Sequence, residues 1–218
     1  AARGAAAHQE AVLGLQDLRE PNLELPNDLA AVIVMGSPHS VYDQLPWYPA
    51  ACALVKDAIE RGIPTLGVCF GHQMICDLRG GRVAANPAGP ELGTVSINLS
   101  PEAATDPLLG PLQERFGTSL EFNELHGDSV IDVPPGASIL GGNPHDRHQI
   151  MRHGPRCWSV QFHPEVTRGE LLMRIPAYSE SILDAGGEPE RLLATSRDCL
   201  AGEALLRQFI ALAKEAHD

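Results

Sequence analysis

Leu29-Ala30-Ala31-Val32-Ile33-Val34-Met35 is an unbroken apolar run that stops at Gly36-Ser37-Pro38. A strand with one wet face alternates apolar and polar residues, whereas a run without alternation predicts a strand covered on both faces, as between two helix layers. Pro49 to Arg61 reads as a helix closed by Gly62, and Thr65 to Val68 as a second apolar strand. Phe70 to Leu78 keeps helical spacing with no breaker inside it. Strand, loop, helix, strand, turn and helix in that order predict a doubly wound α/β fold with a mostly parallel sheet flanked by helices.

The remaining segments fit around that unit. Upstream, Ala5 to Leu18 predicts a helix with Ala11, Leu15 and Leu18 on one face, ended by Pro21. Beyond Gly80-Gly81, Thr94 to Leu99 and Leu120 to Leu125 have strand spacing, Pro107 to Phe116 reads as a short helix, and Pro134-Pro135-Gly136 marks a turn. His148 to Arg152 and Cys157 to Phe162 flank His153-Gly154-Pro155 and predict a hairpin, and the fold as a whole is expected to carry a small antiparallel β element. From Thr167 the chain reads as mostly helical, broken around Ala185-Gly186-Gly187. It ends in Glu203 to Ala213 with Leu205, Leu206, Phe209, Ile210 and Leu212 as a packing stripe. No repeat or linker divides the 218 residues, so 1–218 reads as one domain with a helical extension from about residue 167.

Charge narrows the partners. With 28 acidic against 16 basic residues the formal charge is -12 and no local basic patch offsets it, so neither nucleic acid nor an anionic membrane is expected as a partner. Small neutral or zwitterionic substrates fit better. No segment approaches the ~20 apolar residues of a membrane span, and AARGAAAHQEAV lacks the apolar centre of a signal peptide. The five cysteines are odd in number and form no C-x-x-C pair, which argues against a disulfide framework or zinc ribbon and for a reducing, cytoplasmic setting. His145, His148 and His153 lie at spacings of three and five residues without an acid and cysteine set to complete a site, so no metal is expected. His8 and His217 read as solvated, and Trp47 and Trp158 as packing anchors.

Between the second strand and the helix after it stands Gly67-Val68-Cys69-Phe70-Gly71, a G-x-C-x-G corner. It is the thiol counterpart of a nucleophile elbow: a tight turn projects the reactive group, and only small neighbours let the backbone pass. The helix that starts after Cys69 directs free N–H groups at the sulfur and favours thiolate. The alternative is a small buried core cysteine, against which the glycine bracket and the corner position weigh. A thiol nucleophile needs a base and the base an orienting acceptor; His163 at the end of an apolar strand and Glu165, past Pro164, can supply both. Acyl transfer also needs oxyanion donors, which the backbone N–H groups of Gly36 and Phe70 offer. Without that arrangement, Gly-Ser-Pro would be ordinary loop punctuation.

Met35-Gly36-Ser37-Pro38, GVCFGHQ at 67–73, His126-Gly127-Asp128 and VQFHPEV at 160–166 together resemble the class I, triad-type glutamine amidotransferases over about Leu29 to Val166. The likeness is nearest to the glutaminase domain of GMP synthase and its stand-alone relatives. It implies a flavodoxin-like fold and an enzyme that hydrolyses the glutamine side-chain amide. Cys69 would be the nucleophile, His163 the base, Glu165 its orienting partner, and Gly36 and Phe70 the oxyanion donors. Gln73 resembles the side chain that contacts bound glutamine, and Gly127 and Asp128 match the segment bordering its α-amino and α-carboxylate groups. His72 would point away from the sulfur and is read as structural. The implied chemistry, a γ-glutamyl thioester and release of ammonia, needs neither metal nor organic cofactor.

Two features set this chain apart from that pattern. No ammonia-consuming synthetase unit or Gly-rich nucleotide loop is present, so either a separate protein supplies that step or the domain works alone. The stretch Ile175 to Asp218 looks like that of stand-alone homologues, some of which cleave γ-glutamyl bonds in peptides. The resemblance also implies a strand upstream of the first helix, for which nothing before Ala5 is a candidate; loss of amino-terminal residues is the expectation. Glutaminase is the leading reading. A γ-glutamyl peptidase using the same triad and a catalytically silent regulatory homologue are the alternatives.

Overall fold

The structure, a computed structural model, describes residues 14–20 and 22–217. Its core is a seven-stranded sheet ordered β1 (Val32–Val34), β2 (Thr65–Val68), β9 (Cys157–Val160), β8 (Ile150–Gly154), β7 (Ser138–Gly142), β4 (Glu91–Leu99), β5 (Ser119–His126). β1, β2 and β9 run parallel, and β8, β7, β4 and β5 extend the sheet by antiparallel pairing. A second, two-stranded antiparallel sheet joins β3 (Arg82–Ala85) to β6 (Asp128–Asp132). The doubly wound α/β architecture with a small antiparallel element is the one expected.

Strand alternation sorts side chains to two cores, one on each face of the sheet. Leu66, Val68, Ile150, Trp158 and Val160 pack with Leu112 of α3 (Gly110–Phe116) and with Leu205 and Phe209 of α7 (Leu200–His217), which follows the short helices α4 (Arg168–Arg174), α5 (Ser179–Asp184) and α6 (Pro189–Thr195). Val34, Met151 and Cys157 pack with Ala51 and Val55 of α1 (Tyr48–Glu60) and Phe70, Met74 and Ile75 of α2 (Phe70–Leu78). Each large apolar side chain so buried contributes about 1.5–3 kcal/mol. The two helix layers explain why all of β2 is buried without polar alternation.

Several local expectations change. The ladder hydrogen bonds of the first apolar run cover three residues only, and β1 is an edge strand among the described residues, with Ile33 36% and Met35 44% exposed. Of the expected helix over Ala5 to Leu18, residues 5–13 lie outside the described residues and 14–18 are not helical. His8 also falls outside them, and nothing describes the His217 side chain. α3 starts at Gly110, because the Asp106 carboxylate first accepts the amides of Leu108 and Leu109 at 2.9 and 3.0 Å. The hairpin turns at Pro155-Arg156, which leaves His153 within β8 and Phe162 beyond β9. On α7 the buried stripe runs through Leu205, Phe209 and Ala213, while Ile210 is 47% exposed. β3, β6 and β7 were not anticipated. Among the described residues no helix is long and apolar enough to cross a membrane.

Candidate active site

Cys69 occupies the corner between β2 and α2 with φ 52° and ψ -105°. Positive φ is costly for a residue with a Cβ and persists only where surrounding structure enforces it. The enforcement is visible on both sides. The Cys69 amide donates to the Val160 carbonyl at 2.9 Å, and its carbonyl accepts from the Gln73 amide at 3.1 Å. A Cβ on Gly67 would lie 2.5 Å from the Gly71 carbonyl oxygen, and one on Gly71 would lie 2.0 Å from the Val34 carbonyl oxygen. Both glycines of the G-x-C-x-G bracket are therefore required by backbone-to-backbone approach. Phe70, first residue of α2, has an N–H with no partner inside the helix.

His163 follows β9 and reaches the same corner. Its amide donates to the Asn123 carbonyl at 2.8 Å, an isolated bridge to β5. Its ring Nδ1 lies 2.7 Å from Glu165 Oε1. Gly36 brings the parts together: a Cβ there would meet His163 Cε1 at 2.9 Å, His163 Nε2 at 3.6 Å and Cys69 Cβ at 3.6 Å. Burial disfavours the charged imidazole, but the Cys69 sulfur and the Glu165 carboxylate outweigh it and lift His163 to about 10.

The segment carrying His163 and Glu165 is held from below. Phe122 and Phe162 stack with centroids 3.7 Å apart. The fully buried Asn123 donates Nδ2 to the Val166 carbonyl at 2.7 Å and the Arg197 carbonyl at 3.2 Å, while its Oδ1 accepts from Thr94 Oγ1 at 2.8 Å. Gly202 of α7 packs so tightly that a Cβ would sit 2.4 Å from the Pro164 carbonyl oxygen.

Gln73, Gly127 and Asp128 form the adjoining wall. Gln73 Nε2 donates to the Asp128 carbonyl and to Gln161 Oε1, both at 3.1 Å. The Asp128 carboxylate accepts from Tyr42 Oη at 2.8 Å and from Ser40 Oγ, tying down the loop between β1 and α1. Space around Gly127 is open, with no atom within 4 Å of a Cβ placed there. All eight sequence-predicted site residues thus fall at or beside one corner of the fold. Ser40, Tyr42, Asn123 and Gln161 were missed; Gln161 alone had a local signal, two residues before His163.

The other histidines take structural partners. His72 Nδ1 and His153 Nε2 both lie 2.7 Å from Ser159 Oγ in a buried cluster, where desolvation pushes both rings well below the ordinary histidine range, His153 to about 3. His145 and His148 meet the Gly89 and Val130 carbonyls at 2.9 and 2.7 Å. Trp158 is buried and Trp47 packs beside Phe70. Among the described residues one group has metal-ligand proximity, the buried Glu91, Glu124 and His126. Burial, then the charge of Glu91, pushes the Glu124 carboxyl well above the carboxylate range.

The sequence and fold of this chain resemble those of known proteins. The model of glutamine amidotransferase class-I matches residues 8–177. One component of the glutamine-hydrolysing GMP synthase of Saccharolobus solfataricus is 34% identical over 140 residues, 64% of this chain and 69% of that one. Gamma-glutamyl peptidase 4 of Arabidopsis thaliana is 26% identical over 177 residues, 81% of this chain and 68% of that one. A glutamine amidotransferase structure from Thermotoga maritima superposes with a TM-score of 0.69 at 24% identity, covering 89% of this chain and 82% of that one; at that identity it shows the fold alone. The chain spans 54% of the length of one matched curated relative and 69% of another, and 25% to 28% of two matched GMP synthases.

Proposed function

Because this chain belongs to the class-I glutamine amidotransferase family, we propose that it hydrolyses the side-chain amide of glutamine through Cys69, His163 and Glu165. The observation that carries the reading is the meeting of Cys69 and His163 across Gly36, with Glu165 Oε1 2.7 Å behind the ring. The Cys69 thiolate attacks the γ-carbonyl carbon, and the N–H groups of Gly36 and Phe70 take the charge that moves onto oxygen. The tetrahedral intermediate collapses as His163 passes its proton to the departing nitrogen, giving ammonia and a γ-glutamyl thioester. His163, now neutral, removes a proton from water, which attacks the thioester; glutamate leaves and the thiolate and imidazolium pair is restored. Gln73 holds Asp128 in the wall that faces the α-amino and α-carboxylate groups. No step draws on a metal or an organic cofactor.

The second reading is γ-glutamyl peptidase chemistry, the same steps with a peptide amine leaving. It is favoured by the Arabidopsis relative, whose likeness covers 81% of this chain. A separate ammonia-using synthetase is the partner that the first reading calls for. Glutamate release from glutamine and from γ-glutamyl dipeptides, each followed for wild type and Cys69→Ala, tests both. Cys69-dependent release from glutamine supports the first reading, release from peptides alone supports the second, and release that survives the substitution refutes the triad.

A further inference from the structure

Glu91 opens β4 and stands directly opposite His126 on β5, while Glu124 lies two residues before His126 on the same strand. Side chains two apart on a strand, and those directly across a ladder, share a face. The three are accordingly gathered on one face of the β4 and β5 ladder, and they are 7%, 0% and 5% exposed.

Their hydrogen bonds do not close. His126 Nδ1 lies 2.9 Å from the Asp128 carbonyl oxygen, which can only accept, so that nitrogen carries the ring proton and Nε2 presents a lone pair. Against that lone pair stand Glu91 Oε2 at 3.3 Å and Glu124 Oε2 at 3.5 Å. Neither oxygen of Glu124 has a hydrogen-bond partner. The fully buried Gln149 packs against the same group and donates Nε2 to Glu91 Oε2 at 2.7 Å. Buried acceptors facing acceptors require a proton or a cation between them.

Three species could supply it. A proton on Glu124, in the neutral form that burial favours, gives one O–H donor, but such a bond closes to about 2.5–3.0 Å, and Glu124 Oε2 stands 3.5 Å from His126 Nε2 with neither carboxyl oxygen bonded. A second ring proton gives one N–H for two carboxylates, and charge-assisted bonds of that kind close to about 2.7–2.9 Å, shorter than either separation here. A metal ion bonded at about 2.0–2.1 Å to nitrogen and oxygen holds tetrahedral ligand atoms about 3.3–3.5 Å apart. We propose that Glu91, Glu124 and His126 form a buried binding site for a divalent first-row transition-metal cation such as zinc. One ring nitrogen and two carboxylates suit such ions, and two positive charges balance the two carboxylates. The outer partners are in place: the Asp128 carbonyl fixes the ring, and Asn143 Nδ2 and Gln149 Nε2 each donate to Glu91 at 2.7 Å. The ion would brace β4 against β5 directly behind Gly127 and Asp128, a structural role apart from the Cys69 chemistry. The sequence gives no hint of it, since Glu91 and His126 are 35 residues apart and no spacing motif joins them.

The test uses tag-free, chelator-stripped protein carrying Cys69→Ala, so that the corner thiol offers no competing site, titrated with Co2+ and then Zn2+. The site takes up one equivalent of Co2+, with the intense visible absorption of a four-coordinate ion and no thiolate charge-transfer band, and Zn2+ displaces it. Adding Glu124→Gln keeps the side-chain volume and gives His126 Nε2 an amide N–H. That protein is expected to fold, by its circular dichroism and cooperative urea transition, and to bind Co2+ at least ~100-fold more weakly. His126→Ala is expected to lose the same equivalent. Absence of saturable uptake by the Cys69→Ala protein overturns the proposal, as does an unchanged equivalent in the folded Glu124→Gln protein.

Discussion

The His163 amide donates to the Asn123 carbonyl at 2.8 Å, and the Asn123 side chain reaches past it to the Val166 carbonyl at 2.7 Å. One asparagine therefore grips both ends of the segment that carries His163 and Glu165. Asn123→Ala would leave the buried Val166 carbonyl without its donor, a loss of about 1–3 kcal/mol. Lower kcat with little change in KM, together with a lower urea midpoint, is the expected result; a wild-type kcat would show that the segment holds its place unaided.

Gly36 and Gly71 should fail in different ways. A Cβ on Gly71 meets the Val34 backbone at 2.0 Å, which cannot give, whereas one on Gly36 meets the edge of the His163 ring at 2.9 Å, which can turn. Gly71→Ala is expected to destabilise by at least the ~1–3 kcal/mol of ordinary overpacking, and Gly36→Ala to cut turnover while the unfolding midpoint stays near wild type. Urea unfolding of both proteins beside their kcat values separates the two effects.

The His163 value of about 10 sets a direction for stability against pH, because it lies above the ordinary 6.5. The folded protein holds a proton that the unfolded chain releases between those values. The stabilisation is therefore complete below about pH 6.5 and is lost as pH rises toward 10. Cys69→Ala removes the sulfur that helps raise the value. Unfolding free energy should fall more steeply over that window for wild type than for the variant, and parallel curves would contradict the pairing of sulfur and imidazole.

Asp128 should govern the loop between β1 and α1. Asp128→Ala releases Ser40 and Tyr42 together and is expected to speed proteolytic cleavage within residues 36–45 and to raise KM. Tyr42→Phe removes one bond at a phenol on a side chain that is 50% exposed and should cost no more than about 1 kcal/mol. Limited proteolysis with thermal unfolding as the control measures both.

The parts of this molecule written in contiguous residues could be read in advance. β2 and α2 fall within the bounds that their apolarity and helical spacing predicted, and the corner between them was marked by Gly67 and Gly71, whose need for close backbone approach is local. The pairing of His163 with Glu165 spans two residues and was equally open to reading. Contacts made by the fold were not. Asp128 with Ser40, Asn123 with Val166, and Glu91 with His126 each join strands or loops whose neighbourhood follows from sheet order, which no spacing in the chain encodes. β1 shortened for a related reason: apolarity reports burial, whereas a strand's extent depends on which backbone groups find a ladder partner. β3 and β7, RVAA and SILGG, carry too little alternation to stand out.

The central claim is that Cys69 is the residue that takes the γ-glutamyl group. Acid quenching of the protein during turnover of glutamine or a γ-glutamyl dipeptide, followed by peptide mass mapping, measures it directly. A γ-glutamyl adduct is expected on the Cys69 peptide alone and absent from Cys69→Ala. Glutamate release at the wild-type rate by Cys69→Ala, or an adduct on Cys52, Cys76, Cys157 or Cys199 in place of Cys69, would contradict it.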